Sequence, residues 1–172
     1  RLNMEQCSSQ LTAEYKARLV ERLLPEERGS LTDLTGGFGV DFSFLAPLFR
    51  NAVYVERNSD LCEMAQHNLP LLGAGHARVE CAQAEDFLDG AGQQDLIFLD
   101  PARRDDAGRK VVALSDCSPD VAALSPALLS RSRVVMVKLS PMLDIGQALL
   151  SLHAVREVHT VSVDGECREL LL

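Results

Sequence analysis

No Cys-x-x-Cys pair occurs in the sequence, and its five cysteines (7, 62, 81, 117 and 167) are scattered and odd in number. That pattern argues against a disulfide framework and against a zinc site, and it predicts reduced thiols in a cytoplasmic protein. No apolar run approaches the length of a membrane span, and no signal-peptide pattern opens the chain. Basic residues are in deficit: 17 Lys and Arg stand against 25 Asp and Glu, a net charge of −8. This balance is unfavourable for a domain that must grip nucleic acid unaided, so either the partner is small or the basic surface belongs to another domain. Internal repeats and low-complexity tracts are lacking too. The 172 residues suffice for one well-buried core. The chain opens on Arg1 and closes on Glu169-Leu170-Leu171-Leu172, an apolar run that predicts a domain cut from a longer protein.

What is present is organised around residues 31–56. A short apolar run ends in Asp33-Leu34-Thr35-Gly36-Gly37-Phe38-Gly39, a helical segment follows, and a second apolar run closes on Glu56. An acid about 20 residues after a glycine cluster is the layout of a βαβ nucleotide-binding unit. Glycines 36, 37 and 39 remove Cβ atoms where the chain must turn and a ligand must approach, and the helix that opens there is expected to point free N–H groups at it. Glu56, at a strand tip, can accept from both hydroxyls of a ribose. Val40, Asp41 and Phe42 stand where a dinucleotide fingerprint needs its third glycine. The pattern therefore favours an adenosine without a pyrophosphate and disfavours a nicotinamide oxidoreductase.

The remaining elements follow from periodicity and punctuation. Ser9 or Thr12 caps a helix carrying Tyr15, Leu19, Val20 and Leu23 until Pro25. Strands are predicted at 30–34, 52–55, 77–81, 95–99 and 133–137. Pro47 predicts a kink or an early end near Ala46 for the helix after Gly39. A helix capped by Asn58 or Ser59 presents Leu61, Met64, Ala65 and Leu69 inward, with Pro70 beyond its end and His67 solvated. Gly73-Ala74-Gly75 reads as an ordinary loop. Residues 105–118 are polar and long enough for a lid or substrate loop. Ser118-Pro119-Asp120 starts a helix that Pro126 must break or kink, and another helix covers 143–152. Segments 155–163 and 166–172 flank Asp164-Gly165, a two-residue turn suited to a β-hairpin.

On Asp33 to Gly39, Glu56, Asp100-Pro101-Ala102-Arg103-Arg104 and Val137-Lys138-Leu139-Ser140-Pro141-Met142-Leu143-Asp144, the chain resembles class I S-adenosylmethionine-dependent methyltransferases. The later two stretches are similar to a bacterial branch with a THUMP-like domain. The resemblance implies a Rossmann-like α/β sheet of seven strands, mostly parallel with an antiparallel last strand, with helices on both faces. Residues 1–25 would be an N-terminal segment and covering helix, and 26–172 the methyltransferase domain. A terminal antiparallel hairpin belongs to that fold and not to a dinucleotide Rossmann domain. The implied cofactor is S-adenosylmethionine, with Asp33, Thr35, Gly36, Gly37 and Gly39 around its methionine end and Glu56, with Arg57 beside it, at the ribose. Gln83 and Ala84 stand where the family has an acid and a following N–H for adenine; a glutamine carbonyl still accepts from the amine, without charge assistance. Ser8, Ser9 and Lys16 either hold the methionine end, as Ser/Thr-rich leaders do in nucleic-acid methyltransferases, or belong to a helix that merely covers the sheet.

Asp100 leaves the fourth strand at the ligand edge of the sheet and would face the reactive methyl. In methyltransferases acting on exocyclic base nitrogens the corresponding motif is Asp/Asn-Pro-Pro-aromatic, whose acid and proline carbonyl accept the amine's hydrogens while the ring stacks on the flipped base. Asp100 and Pro101 match, whereas Ala102 and Arg103 replace the second proline and the ring, so stacking falls to the Arg103 guanidinium or to another group. No cysteine follows the fifth strand, which argues against uracil-C5 chemistry. Asp100 could instead merely cap a loop. Arg103, Arg104, Arg109 and Lys110 are either a self-paired solvated loop with Asp105 and Asp106 or a phosphate clamp. Lys138 would pair with Asp100 or Asp144, or touch substrate. Cys117 and Cys167 read as packed thiols. The expected function is methyl transfer to a base nitrogen in RNA, with RNA gripped by a domain outside this chain and neither membrane nor metal involved. The alternatives are a small-molecule methyltransferase and a non-catalytic cofactor-binding module.

Overall fold

The computed structural model describes residues 8–103, 114 and 117–172. Among these, helix α1 (Gln10–Leu23) is capped by the Ser9 side chain and precedes β1 (Ser30–Asp33). After the glycine loop come α2 (Val40–Leu45), a single 3-10 turn at Ala46–Leu48, β2 (Asn51–Glu56), α3 (Ser59–Leu71) and β3 (Arg78–Cys81). Then follow α4 (Ala84–Gly90), β4 (Gln94–Leu99), a two-residue ladder of β5 (Ala102–Arg103) with β6 (Cys117–Ser118), and α5 (Val121–Arg131). The chain finishes with β7 (Ser132–Leu139), α6 (Ile145–Ser151), β8 (His159–Val163) and β9 (Glu166–Leu171).

Seven of these strands form one sheet in the order β3-β2-β1-β4-β7-β9-β8. β1 pairs in parallel with β2 and β4, β2 with β3, and β4 with β7. Only β9 runs against its neighbours, antiparallel to both β7 and β8. The reversal is made at Asp164 (φ 54°) and Gly165 (φ 80°), both left-handed as a two-residue hairpin turn with the right twist requires. This is the Rossmann-like methyltransferase fold, with its antiparallel last strand.

Strand β4 shows how the core is divided. Leu96 and Phe98 point into the layer built with Leu19, Val20, Phe42, Leu45 and Tyr54, while Ile97 and Leu99 point into the layer built with Leu88, Val121 and Leu128. A stretch of strand covered on both faces must be apolar at every position, as residues 96–99 are, whereas Gln94 and Asp95 precede the buried part. Among the described residues no helix is long and apolar enough to cross a membrane.

Several local expectations are corrected. Met64 is 42% exposed, and Cys62 takes its place on the buried face of α3 with Leu61, Ala65 and Leu69. At 100° per residue that stripe is centred between Leu61 and Leu69, which leaves position 64 on its flank. Pro70 lies inside the last turn of α3, not beyond it. Its missing N–H forfeits one helical bond, and the end is closed by Gly73 N–H to Pro70 O (3.4 Å) and Ala74 N–H to Leu69 O (2.9 Å). With Gly73 at φ 82° this is a Schellman cap, so the supposed ordinary loop is a helix stop. Pro126 does not break α5, which runs unbroken through it; the residue is on the exposed side, where water can take the bond it forgoes.

The glycine loop is clamped from both sides, Leu34 N–H donating to Phe98 O at 3.0 Å and Gly36 N–H to Val55 O at 2.9 Å. A Cβ on Gly36 would come within 2.1 Å of the buried Tyr54 ring, whose hydroxyl donates to Gly37 O. Gly36→Ala should therefore destabilise the protein by roughly 3 kcal/mol or more, since overpacking a site that cannot yield costs at least this order. Urea denaturation is the measurement, and a loss below about 1 kcal/mol would mean that the ring can move aside.

Candidate functional site

The carboxyl ends of β1, β2, β3 and β4 open on a cleft of about 350 Å³. Its walls are the loop 35–39, Asp41, Glu56 to Asn58, Gln83 to Glu85, Asp100 and Lys138. Glu56 faces the glycine loop: one carboxylate oxygen accepts from Gly37 N–H at 3.0 Å and the other from Asn58 N–H at 2.9 Å. Asn58 in turn caps α3 through Asp60 N–H, 2.9 Å from its side-chain oxygen. Thr35 ties the loop to the end of β4. Its hydroxyl accepts from Asp100 N–H at 2.6 Å and donates to Asp33 Oδ1 at 3.3 Å, which also receives Thr35 N–H at 2.9 Å.

Most of the loop's own N–H groups are already engaged. The N–H groups of Thr35, Gly36, Gly37 and Gly39 are all donated within the protein, to Asp33, Val55, Glu56 and Gly36 respectively. These four therefore do not form a row of free donors for a pyrophosphate. Gly36 is required by Tyr54 rather than by a ligand, whereas Gly37 (φ 55°) and Gly39 (φ 76°) are required by the turn itself.

Behind the cleft lies a charge cluster drawn from five elements. Lys16 of α1 is fully buried, pairs with Asp41 of α2 at 3.0 Å and with Glu169 of β9, and donates to Ser8 Oγ at 3.2 Å. Ser8 donates to Asp41 Oδ2 at 2.7 Å. Lys138 of β7 pairs with Asp100 and lies 3.6 Å from Asp41. Burial alone would lower the Lys138 pKa, but Asp100 and Asp41 outweigh it and hold the ammonium charged well above its ordinary range. Of the two partners proposed for Lys138, Asp100 is the one it takes; Asp144 instead caps α6, its carboxylate accepting from Gln147 N–H at 2.9 Å.

Asp33, almost wholly buried, is pushed up to about 8 by desolvation, with Asp41 and Asp100 adding to the effect and the Thr35 hydrogen bonds opposing it. Four carboxyl groups (33, 41, 100, 169) thus face two ammonium groups (16, 138), and the site resolves the excess by keeping Asp33 protonated near neutrality. Such a site suits a ligand that brings positive charge.

A second, larger cleft of about 660 Å³ adjoins the first and shares Ser8, Asp100, Ala102 and Lys138 with it. Pro101, Cys117, Ser140, Asp164, Arg168 and Glu169 are among its other walls. Asp100 stands at the junction, its side chain 39% exposed. Arg103 enters the β5–β6 ladder opposite Cys117, and its side chain lies outside the described residues, as do Arg104, Asp105, Asp106, Arg109 and Lys110. Ser9 spends its hydroxyl on capping α1 and lines only the second cleft. Arg57 reaches Ser118 at 3.1 Å across the first cleft. Gln83 is the N-cap position of α4 without a side-chain cap bond, so with Ala84 it faces the cleft free of that duty. Cys117 is buried as expected, but Cys167 is exposed on the second cleft rather than packed.

Asp41 and Glu169 escape sequence reasoning altogether. The available signal is Lys16, a lysine on the apolar stripe of α1 between Ala13 and Leu19, which demands buried acids to receive it. Lys16→Met should cost about 3–5 kcal/mol, because it strands Asp41 and Glu169 without their shared cation; a loss under about 1 kcal/mol in urea would show that the acids find other partners. Asp33 carries a pH signature. A carboxyl raised above its unfolded value contributes stability present at low pH and lost as pH rises towards its folded value, at up to about 1.4 kcal/mol per pH unit. The thermal midpoint of the ligand-free protein should therefore fall between pH 5 and 8, and less steeply in Asp33→Asn; equal slopes would refute a protonated Asp33.

No protein-family model matches the chain, and no curated protein matches it in sequence. Solved structures do. A crystal structure from Porphyromonas gingivalis W83, described only as that of a candidate methyltransferase, is similar over 99% of this chain with 37% identity and a TM-score of 0.85. The chain spans 41% of that protein's length. An rRNA methylase from Streptococcus thermophilus shares 12% identity over 96% of each chain, at a TM-score of 0.67. An O-methyltransferase from Bacillus cereus, in complex with SAH, shares 15% identity over 80% of this chain and 59% of its own, at 0.60. The latter two share the fold alone.

Proposed function

We propose that this chain is the catalytic domain of a cytoplasmic S-adenosylmethionine-dependent methyltransferase acting on a base nitrogen in RNA. The observation that carries the reading is the position of Asp100 where a cofactor-sized cleft meets a larger one. The donor set fits the cofactor. Glu56 keeps lone pairs free for the two ribose hydroxyls after accepting from Gly37 and Asn58, Arg57 lies beside it, and Gln83 with Ala84 is left for adenine. Asp33, Thr35 and glycines 36, 37 and 39, with Ser8 behind them, would surround the methionine end, where the excess of carboxyl groups favours cationic centres; Ser9 acts there only by capping the helix that carries Lys16.

S-adenosylmethionine would supply a methyl group on a sulfonium, ready for in-line displacement. The chain's own work is then to align the acceptor, exclude water and receive a proton. Asp100 accepts from the acceptor amine with the oxygen that Lys138 leaves free, and Lys138 fixes the carboxylate's orientation. Pro101 and Arg103 complete the acceptor-side motif. The rRNA methylase of the same fold is in keeping with an RNA acceptor; the Porphyromonas protein, of which this chain spans 41%, leaves room for a further domain to supply the RNA grip that a net charge of −8 denies to this one. A second reading, a small molecule carrying an amine as acceptor, is favoured by Asp100 and Asp164 on the larger cleft and by the chain's acidic balance.

Calorimetry should detect binding of S-adenosylmethionine and S-adenosylhomocysteine. Glu56→Ala should weaken it roughly tenfold to a hundredfold, the worth of a charge-assisted hydrogen bond. Nucleosides from cells carrying Asp100→Ala in the full-length gene should lack one methylated base present in the parent. No heat with either ligand removes the reading, and an unchanged nucleoside profile removes RNA in favour of the small-molecule amine.

A further inference from the structure

Two cysteines flank the acid assigned to the ribose. Cys62, in the first turn of α3, is buried, and its thiol donates to the Glu56 carbonyl at 3.2 Å. Cys81 ends β3, is exposed, and is the register partner of Glu56 in the β2–β3 ladder. Ala82, the next residue, donates its N–H to the same Glu56 carbonyl at 3.0 Å. The Cys62 sulfur and the Ala82 N–H thus converge on one backbone oxygen, with the Cys81 side chain interacting with that of Cys62 beside it. We propose that Cys62 and Cys81 are a modification site, closing to a reversible disulfide under peroxide and thereby loosening the adenosine half of the cofactor cleft.

Exposure and ionisation set the order of events. Desolvation, with the neighbouring Cys81 adding to it, pushes the Cys62 thiol up to about 12, so Cys62 is not the thiolate that attacks first. Cys81 meets hydrogen peroxide from solvent: its sulfur bonds to one oxygen, the O–O bond breaks, and hydroxide leaves and is protonated to water. The Cys62 sulfur then attacks the sulfenyl sulfur of Cys81, the S–O bond breaks, and a second water leaves with the Cys62 proton. Two thiols and one peroxide become one disulfide and two waters, the sulfurs losing the two electrons that the O–O bond gains. The new bond removes the S–H that holds the Glu56 carbonyl and ties the end of β3 to α3. Glu56, Gln83 and Ala84, all on the cofactor cleft, lie within a few residues of that tie.

The affinity effect rests on the cofactor reading above; the disulfide does not. Full-length protein is treated with hydrogen peroxide, alkylated and mapped by peptide mass spectrometry without reduction. A Cys62–Cys81 linked peptide is expected, absent from Cys81→Ser and from Cys62→Ala and lost on adding dithiothreitol. Calorimetry with S-adenosylhomocysteine should show roughly tenfold weaker binding after oxidation, about the loss of one good hydrogen bond, and no change in peroxide-treated Cys81→Ser. Absence of the linked peptide, linkage through other cysteines, or a linked protein with undiminished affinity overturns the proposal. If reduced protein binds no S-adenosylhomocysteine, the cofactor reading falls and the peptide map alone decides the disulfide.

Discussion

The fully buried ammonium of Lys16 joins parts of the chain that lie far apart in sequence. It receives Asp41 from the helix after the glycine loop and Glu169 from the last strand, and through Ser8 it also fixes the entry to α1. Each of these groups would be costly to bury alone, and each is tolerable only because the others are there. The covering helix is therefore more than a lid on the sheet. It supplies the cation that allows two carboxylates to stand behind the cleft at the carboxyl ends of the strands, and with Lys138 it sets the charge that the cleft presents.

The same constraint explains what could and could not be read in advance. The backbone plan was legible because it rests on short-range rules: the continuous apolar run of β4, the Asp164-Gly165 turn, Asn58 as a helix cap, and Pro47 ending α2 in a 3-10 turn. Glu56 was legible because its distance from the glycines fixes it at the next strand tip. Asp41 and Glu169 were not, because their roles depend on a lysine far off in sequence, and neither residue's neighbours announce burial. Met64, Pro70 and Pro126 show the other limit. A helix's buried stripe and its tolerance of proline depend on where the neighbouring layer sits, which local pattern only approximates.

The glycine loop also divides its labour differently from its appearance. Gly36 is fixed by the Tyr54 ring, and the N–H groups of Thr35, Gly36, Gly37 and Gly39 are already spoken for. The loop is thus held in one shape by the protein itself, which leaves little of it to be ordered on binding. Thr35 extends this rigidity to Asp100, so the glycine-loop cleft and the larger cleft beside it share one hydrogen-bonded chain from Asp33 through Thr35 to the end of β4.

The inverted hairpin carries a consequence for synthesis on the ribosome. β9 lies between β7 and β8, and the acid it carries, Glu169, is among the last residues of the chain. A nascent chain that has emerged as far as Lys138 already contains the whole glycine loop, Glu56 and Asp100, yet Lys16 has Asp41 and Ser8 but no Glu169 to meet. The pocket's electrostatic floor is thus among the last pieces translated, and the half-made domain cannot finish the site that its first sixty residues outline.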